Sequence, residues 1–375
     1  MATPSSSASR VASSSSVART VNDIGLANLS GDVLQRSNTG IPTSMAATDT
    51  AQRKRPDQRI GSFVVIDEVK GNAVARAFRA RYRPQVGDAP LALDTDDIVV
   101  VRVLRDAAIR DPSQVNAFTR EAELLTLIDH PCMVRGLTRG VTSGRIWMAT
   151  EYVEGEELAT LMLAARTEAL RLKPEIALVI VLDLLAGLSA AQGIADARGR
   201  PMGLIHRNVS PQSVVLDLRG RTHLADLGSA ILSVREEPGA DVVGTPGYLA
   251  PEQARREPLT QGVDVYGAGI ILFELLTGSR AFEVEGLSDA AVIAAHAENH
   301  RASWPDDVDL PLDLKALVDQ ATADTPEDRP ADAAALYALV EGLLEDPDDA
   351  RERLALVVRD LVTSNPERQA APLLI

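Results

Sequence analysis

The chain has 375 residues, of which 45% are hydrophobic and 24% charged, as expected for a folded protein with one large or two ordinary domains. Its net charge of −15 disfavours nucleic acid as a partner, because phosphate contacts require clustered Lys and Arg. No uncharged apolar run reaches the length of a membrane helix, and the single cysteine, Cys132, cannot form an internal disulfide, so we expect a cytoplasmic protein.

Residues 1–59 are predicted to form a disordered tail. The segment is rich in Ser and Thr and has no apolar period. It is also mildly basic, since residues 1–60 hold seven Lys and Arg against four Asp and Glu. A solubilising tail is one interpretation. A phosphorylated or docking arm that uses the short apolar stretch VNDIGLANL is the other.

A pattern typical of strands begins near residue 60. The stretches RIGSFVVIDEV and DIVVVRVLRD alternate with period 2 and predict a small antiparallel sheet. The stretch DPSQVNAFTREAELLTLIDHP, with a capping Asp or Ser and a terminating Pro, predicts one amphipathic helix. The stretch GRIWMATEYVEGEEL predicts a strand that runs into a linker.

Helical periodicity dominates beyond residue 170. It predicts five helices, within KPEIALVIVLDLLAGLSAAQGIADARG, VDVYGAGIILFELLTG, LSDAAVIAAHAENH, PLDLKALVDQATAD and ADAAALYALVEGLL. A further amphipathic helix is predicted within residues 346–375, which either packs back on the preceding domain or binds another protein. Its apolar stripe consists of Leu354, Val357, Val358, Leu361 and Val362.

Several stretches, read in chain order, resemble the motifs of the eukaryotic-type Ser/Thr protein kinases. HRNVSPQS at 206–213 resembles the catalytic loop, LADLGSA at 224–230 the metal-binding turn, and GTPGYLAPEQ at 244–253 the end of the activation segment. DVYGAGIILFELLTG and EDRPADAAAL resemble the helix that anchors the lower lobe and the terminal Arg motif. This ordered set covers residues 60–345. It implies a bilobal α+β fold, with a small β-rich N-lobe at 60–152 and a larger α-helical C-lobe at 153–345.

The resemblance implies a retained structural scaffold. In it, Asp264 accepts backbone hydrogen bonds from the catalytic loop, Glu252 pairs with Arg329, and His206 is a packed core residue. Arg207 stands at the position where active relatives use an Arg to bind a phosphorylated activation loop. Residues 229–244 carry Glu236 and Glu237. One hypothesis is that one of these carboxylates binds Arg207 permanently. The other is that the segment is a solvated acidic loop.

The catalytic positions of the family carry polar neutral side chains. Asn208 replaces the Asp that accepts the substrate hydroxyl proton, and an amide is not basic near neutral pH. Ser210 replaces the Lys that neutralises the transferred phosphoryl group. Ser213 replaces an Asn ligand of magnesium, and we expect Ser213→Ala to leave stability almost unchanged.

The resemblance also assigns the strand and helix positions that hold the nucleotide. Arg102 aligns with the phosphate-binding Lys and keeps the charge that pairs with Glu121, although its planar fork is not a geometric substitute for an ammonium. Val100 replaces an Ala over the adenine ring and narrows the pocket, and Thr150 is a further nucleotide-binding position. Asp226 survives as a vestigial ligand of magnesium.

The loop that covers the phosphates departs most from the family. Lys70, Asn72 and Ala75 align with its three glycines, while Gly71 survives one position out of phase. Without these glycines the backbone loses the close approach that lets its amides surround a phosphate.

These losses fall on one reaction while the scaffold is kept, so we predict a pseudokinase that acts as a scaffold or allosteric regulator in Ser/Thr phosphorylation signalling. ATP and magnesium are expected to bind weakly or not at all. The expected partners are other signalling proteins, an active kinase among them, and neither nucleic acid nor a membrane. An active but atypical ATP-dependent Ser/Thr kinase and a nucleotide sensor are the alternatives. His296 and His300 are not predicted to bind zinc, because HAENH lacks the metalloprotease spacing and a third ligand.

Overall fold

The computed structural model describes residues 19–20, 58–168, 170–232 and 242–364. Strand β1 (Arg19–Thr20) pairs in parallel with β9 (Leu170–Arg171). Most of the predicted N-terminal tail, the residues Glu236 and Glu237, and the chain after residue 364 lie outside the described residues.

A six-stranded antiparallel sheet forms most of the N-terminal part. Its strands are β2 (Arg59–Ile60), β3 (Phe63–Val69), β4 (Ala75–Tyr82), β5 (Ile98–Leu104), β6 (Gly136–Thr142) and β7 (Arg145–Glu151). Their order in the sheet is β2-β3-β4-β5-β7-β6. Alternate residues such as Val99 and Val101 are fully buried, because the side chains of a strand point alternately to its two faces.

Two helices follow strand β5, α1 (Asp106–Ile109) and α2 (Pro112–Leu127). Asp111 caps α2 by accepting a hydrogen bond from the backbone N–H of Ser113, and Pro112 occupies the first turn. Helix α2 packs against β6 and against a 3-10 turn of the second lobe, Leu227–Ser229. It therefore connects the two lobes next to the cleft.

Helices form the larger C-terminal part. They are α3 (Leu158–Thr167), α4 (Pro174–Gln192), α5 (Pro251–Arg255), α6 (Gly262–Thr277), α7 (Asp289–Ala297), α8 (Leu312–Ala321), α9 (Ala333–Glu341) and α10 (Pro347–Ser364). Every residue of α6 is buried, and it packs against α4 and α8. By length and composition α4 could cross a membrane, but most of it lies in the core of this lobe.

Short strands between β7 and α5 carry the motifs of the cleft. Strands β8 (Gly155–Glu157), β11 (Val214–Asp217) and β12 (Thr222–Leu224) form one sheet, and β10 (Leu204–Ile205) pairs with β13 (Ile231–Leu232). The catalytic-loop motif lies between β10 and β11 and includes the 3-10 turn Pro211–Ser213. Asp226 lies between β12 and the 3-10 turn Leu227–Ser229.

The C-terminal helix α10 packs on this lobe rather than standing apart from it. Leu354 and Val358 have no exposed surface, and the helix contacts α4 and β8. Arg351 donates to the buried carboxylate of Asp183 in α4 at 2.7 Å. The acidic residue in the middle of the apolar helix α4 therefore has a partner in α10.

The predicted fold class is confirmed. The β-rich first lobe and the helical second lobe are both present, and the five predicted helices beyond residue 170 appear as α4, α6, α7, α8 and α9. Helix α3 was not predicted, although its buried residues follow the i, i+3, i+4, i+7 spacing of an amphipathic helix: Leu158, Leu161, Met162 and Ala165.

Candidate functional site

The loop of residues 206–213 is held by an acid from α6. The fully buried Asp264 accepts hydrogen bonds from the backbone N–H groups of His206 and Arg207, both at 2.9 Å, and one from the side chain of Gln192. His206 has no exposed surface, and its ring lies 3.3 Å from the carbonyl oxygen of Ala225. Backbone geometry in this loop is therefore set by buried contacts.

Asn208 and Ser210 both contact a residue of the activation-segment motif. The hydroxyl of Thr245 donates to Oδ1 of Asn208 at 2.8 Å and lies 3.2 Å from the hydroxyl of Ser210. Oδ1 is the accepting atom of the Asn side chain, whose other polar atom is a donor. The accepting atom of Asn208 thus already takes part in a hydrogen bond, and Ser210 has no exposed surface.

Ser213 closes the 3-10 turn Pro211–Ser213 instead of facing a ligand. Its hydroxyl donates to the carbonyl oxygen of Ser210 at 2.8 Å and accepts from the backbone N–H of Ser210 at 3.2 Å. Only 2% of the residue is exposed. The expectation that Ser213→Ala would leave stability almost unchanged is therefore revised, because a buried cap contributes to stability.

Arg102 lies between two carboxylates that belong to different lobes. Its Nη1 donates to Oε1 of Glu121 in α2, and its Nη2 lies 4.0 Å from Oδ1 of Asp226. The ring of Phe118 lies 5.8 Å from the guanidinium carbon. Asp226 is the residue that starts the 3-10 turn, with φ of 64°, and its carboxylate accepts from the N–H of Gly228.

The charges in this cluster depend on one another. Burial raises the pKa of Glu121 to about 7, while Arg102 opposes this rise and the nearby Asp226 adds to it. Burial also disfavours the charge of Arg102, but Glu121 and Asp226 outweigh that effect and raise the pKa of the guanidinium. Arg102 is therefore the cation that favours the ionised form of Glu121, against the effects of burial and of Asp226.

The loop between β3 and β4 satisfies its own backbone groups. Oδ1 of Asn72 accepts from the N–H groups of Val74 and Ala75, at 3.0 and 2.7 Å. The N–H of Asn72 donates to the carbonyl oxygen of Ala75, and a Cβ on Gly71 would lie only 2.6 Å from that oxygen. The tight turn thus uses two amides that an open loop would offer to a phosphate.

An ion pair links the same loop to the second lobe. The ammonium of Lys70 donates to Oε2 of Glu157 at 2.8 Å. Glu157 ends β8, directly after the linker between the lobes. The pair is largely exposed, so its contribution to stability is small, but it joins the two sides of the cleft.

Val100, Arg102 and Thr150 occupy one face of the sheet. Val100 pairs directly with Thr150 across β5 and β7, and Arg102 pairs with Met148. Directly paired residues of an antiparallel sheet share a face, so these side chains project together. Val100 is half-buried, and Thr150 is 6% exposed.

Three further predicted positions have their partners in the second lobe. The buried Glu252 and Arg329 form two parallel hydrogen bonds of 2.8 Å each. Nε of Arg207 donates to the carbonyl oxygen of Ser229 at 2.6 Å, which ties the loop to the start of the activation segment. Its hypothesised carboxylate partners, Glu236 and Glu237, lie outside the described residues.

A family model described as the protein kinase domain matches residues 86–339. The chain belongs to the protein kinase family. The matched residues include the cleft cluster of Arg102, Glu121 and Asp226, and the catalytic loop with Asp264.

Known kinases are similar over most of the chain. It is 31% identical to the serine/threonine-protein kinase PkaA of Streptomyces coelicolor over 327 residues, which are 84% of this chain and 56% of PkaA. It is 28% identical to the tyrosine-protein kinase MasK of Myxococcus xanthus over 77% of this chain and 44% of MasK. The chain thus spans about half the length of these relatives. The serine/threonine-protein kinase PknL of Mycobacterium tuberculosis is 28% identical over 74% of this chain and 69% of PknL.

Kinases use ATP with magnesium, but the described residues do not fit the metal. Magnesium requires near-octahedral oxygen coordination. Asp226 is the retained ligand position, whereas the hydroxyl of Ser213 is engaged inside its turn and Glu121 is paired with Arg102. No cluster of three His, Cys, Asp or Glu residues that suits a metal occurs in the described ranges, and His296 and His300 belong to none.

The motifs left several kinase-domain contacts unpredicted. Thr245, Asn72 and Glu157 were not recognised as partners of the cleft residues. A buried network around Glu274 in α6 was also missed: its carboxylate accepts from the hydroxyl of Tyr248 at 2.9 Å and lies 3.5 Å from Arg280. One signal was available, because Glu274 is a lone acid in the apolar stretch IILFELLTG.

Proposed function

We propose that this kinase-family protein does not transfer phosphate efficiently and acts as a pseudokinase, by presenting a constant surface to other signalling proteins. The observation that carries the proposal is the hydrogen bond between Thr245 and Oδ1 of Asn208. A general base must accept a proton from the substrate. Asn208 has no negative charge, and its accepting oxygen already accepts a hydrogen bond from the hydroxyl of Thr245.

The substitutions at positions 210 and 213 affect the same step, the transfer of the phosphoryl group. Phosphoryl transfer depends on positioning and on neutralisation of the moving charge. Ser210 is buried and uncharged at the position of the neutralising Lys, and Ser213 caps a turn at the position of a metal ligand. A missing base alone removes about 10²- to 10⁴-fold in rate, and the other losses come in addition.

The cleft also supports weak or absent nucleotide binding. The amides of Val74 and Ala75 are held by Asn72, Lys70 is paired with Glu157, and Arg102 is paired with Glu121. A nucleotide would have to compete with each of these internal contacts. ATP with magnesium is therefore proposed only as a weak ligand.

The proposed partners are other signalling proteins, an active kinase among them, in the cytoplasm. The net charge of −15 favours this choice over nucleic acid or an anionic membrane surface. The similarity to the named serine/threonine kinases supports a proposed role in Ser/Thr phosphorylation signalling.

An active but atypical serine/threonine kinase is the second candidate. It is favoured by the ion pair between Arg102 and Glu121 and by the retained Asp226, which keep the arrangement of the cleft even though Arg replaces Lys. The curated relatives are themselves named as kinases.

Transfer of labelled γ-phosphate from ATP separates these candidates. We expect the full chain to label neither itself nor a generic basic protein above the level of an Asp226→Ala variant, with an active bacterial serine/threonine kinase as the positive control. Labelling by the wild type that disappears in Asp226→Ala would establish the active kinase instead.

A further inference from the structure

We infer that Arg166 and Arg280 form a binding site for one anionic side chain, a carboxylate or a phosphate, of a partner protein. This inference rests on the proposed function, because a pseudokinase that works by binding other proteins needs a surface that recognises them. The site lies on the C-lobe beside the activation-segment motif, since Arg280 contacts Tyr248 of that motif.

Three separate parts of the C-lobe meet at this site. Arg166 lies in the last turn of α3, Arg280 lies between α6 and α7, and Tyr248 belongs to the stretch GTPGYLAPEQ. Beneath them lies the buried carboxylate of Glu274 in α6. Its Oε2 is 3.5 Å from Nη1 of Arg280 and 3.9 Å from Nη1 of Arg166. The two guanidiniums therefore share one acid.

Glu274 does not fully neutralise this pair of arginines. Its Oε2 accepts from the hydroxyl of Tyr248 at 2.9 Å, and its Oε1 accepts from the N–H of Ala281 at 3.0 Å. Both oxygens thus have closer partners than the arginines. Burial and the like charge of Arg280 lower the pKa of Arg166, and the acids Glu274 and Glu285 oppose this only in part. A second anion placed between the guanidiniums would relieve their repulsion.

Arg166 also has hydrogen-bond donors without partners. A guanidinium carries five N–H donors. The guanidinium of Arg166 makes no hydrogen bond to any residue that the structure describes, and its ion pair with Glu274 is long. Arg280 uses Nη1 for Tyr248, at 2.8 Å, and leaves Nε and Nη2 without a described partner. The two side chains are 22% and 33% exposed, so a ligand in solution reaches these donors.

Two guanidiniums side by side suit a carboxylate or a phosphate. Each offers its donors in a planar fork that matches a pair of anionic oxygens. A long polyanion is disfavoured by the net charge of −15, whereas a single acidic group needs only this local pair. Leu163 lies one turn before Arg166 on the same side of α3 and is 59% exposed. This apolar neighbour favours an acidic peptide segment over a free ion.

Short fluorescein-labelled peptides of equal length test the site. Each carries a Leu near its central residue, which is Glu or phosphoserine in the two anionic peptides and Gln or Ser in their neutral counterparts. Fluorescence anisotropy with the full chain, without ATP, gives the Kd. We expect at least one anionic peptide to bind about tenfold more tightly than its neutral counterpart. The two anionic peptides distinguish a carboxylate from a phosphate. Equal Kd values within both pairs would overturn the inference.

Arg166→Met removes the charge and keeps the length of the side chain. The variant should melt near the wild-type temperature, because this guanidinium makes no described hydrogen bond, and it should lose the preference for the anionic peptide. Arg280→Lys keeps a charge beside Glu274 but not the fork, and should weaken binding of the anionic peptide alone. The matched control is Arg200→Met, which removes an exposed arginine paired with Asp196 and should bind as the wild type does.

A preference for the anionic peptide that survives in Arg166→Met would overturn the inference, because another part of the surface would then bind the charge. Leu163→Ser tests the apolar contact and should weaken all four peptides by a similar factor. The proposed function is judged by a different measurement. Phosphate transfer from ATP would overturn the proposed function, whereas peptide binding that ignores charge, in a chain that transfers no phosphate, would overturn this inference alone.

Discussion

At position 208 the side chain of Asn208 carries an amide nitrogen where the family motif has a carboxylate oxygen. The remaining oxygen, Oδ1, accepts a hydrogen bond from the hydroxyl of Thr245 at 2.8 Å. The side chain is therefore satisfied as a structural acceptor. Its hydrogen bond joins the catalytic loop to the activation-segment motif, whatever the chemistry of the cleft.

Restoring the carboxylate alone should recover little activity. We expect phosphate transfer by Asn208→Asp to stay well below the roughly 10²- to 10⁴-fold gain that a general base can supply, since Ser210, Ser213 and Arg102 are unchanged and groups that act together are not additive. Labelled-ATP assays of the wild type, Asn208→Asp and the matched Asn208→Ala provide the measurement. A gain of the full size in Asn208→Asp would show that the other substitutions are tolerated.

His296 is a second residue whose environment has a measurable consequence. It is fully buried in α7 and stacks on Phe282 with the ring centroids 3.9 Å apart. Neither ring nitrogen forms a hydrogen bond of normal geometry within the described residues. Burial lowers the pKa of His296 to about 4, and the backbone of Leu249 opposes this only in part.

Stability should therefore fall on mild acidification. Between the ordinary His pKa of about 6.5 and the folded value of about 4, the unfolded state binds more protons, so this group lowers the free energy of unfolding by about 2 kcal/mol from pH 7 to pH 5. His296→Phe should remove that part of the pH dependence in denaturant titrations. The control is His300→Phe, at an exposed site, which should keep the wild-type slope. If the free energy of unfolding depended on pH equally in all three proteins, His296 would not be the source of this pH dependence.

At the scale of elements, buried ion pairs connect segments that are far apart in the chain. Arg329 follows the 3-10 turn Pro326–Asp328 and binds Glu252 in α5 through both Nη atoms, and Nη1 also donates to the carbonyl oxygen of Gly262 at the start of α6. The side chains are 0% and 1% exposed. Three elements of the C-lobe thus converge on one guanidinium.

Loss of this guanidinium should be costly. Arg329→Ala leaves Glu252 as a buried carboxylate without its partner, so we expect a loss of about 3 to 5 kcal/mol in unfolding free energy. Ser213→Ala removes a buried cap and should cost about 1 kcal/mol. Arg255→Ala, which breaks the exposed pair with Asp324, is the matched control and should cost less than about 1 kcal/mol. Equal stability of the Arg329 and Arg255 variants in urea would contradict this account.

At the scale of the whole molecule, the C-terminal helix is part of the folded body. The family match ends at residue 339, and α10 begins at Pro347. Its buried side chains nevertheless belong to the same hydrophobic core as α4 and α6. The ion pair between Arg351 and Asp183 fixes the position of α10 against α4.

Two neighbouring arginines of α10 allow a matched comparison. Arg351→Leu leaves the buried Asp183 with only the N–H of Thr222 as a hydrogen-bond donor among the described contacts, so we expect a loss of about 3 kcal/mol. Arg353→Leu removes an exposed pair with Asp349 and should change stability by less than about 1 kcal/mol. Similar urea midpoints for both variants would show that α10 does not depend on this pair.

Local patterns were sufficient to predict the two-lobe fold. Period-2 strands, helical stripes and the ordered motifs are short-range properties of the chain, and each is readable without knowing what lies opposite. The substitutions at Asn208, Ser210 and Ser213 were visible for the same reason. Helix α3 was overlooked although its spacing is equally local.

Sequence by itself thus determined the family and the identity of the altered cleft residues, while only the tertiary structure decided how those residues are used. Three sets of contacts in the cleft join separate segments of the chain and depend on where the side chains point. They are those of Thr245 with Asn208, of Arg102 with Glu121 and Asp226, and of Lys70 with Glu157. Distances and burial also changed the interpretation of Ser213, from a dispensable remnant to a buried cap. The physical reason is that hydrogen bonds and ion pairs act over a few ångströms in space, and separation along the chain does not specify which groups come that close.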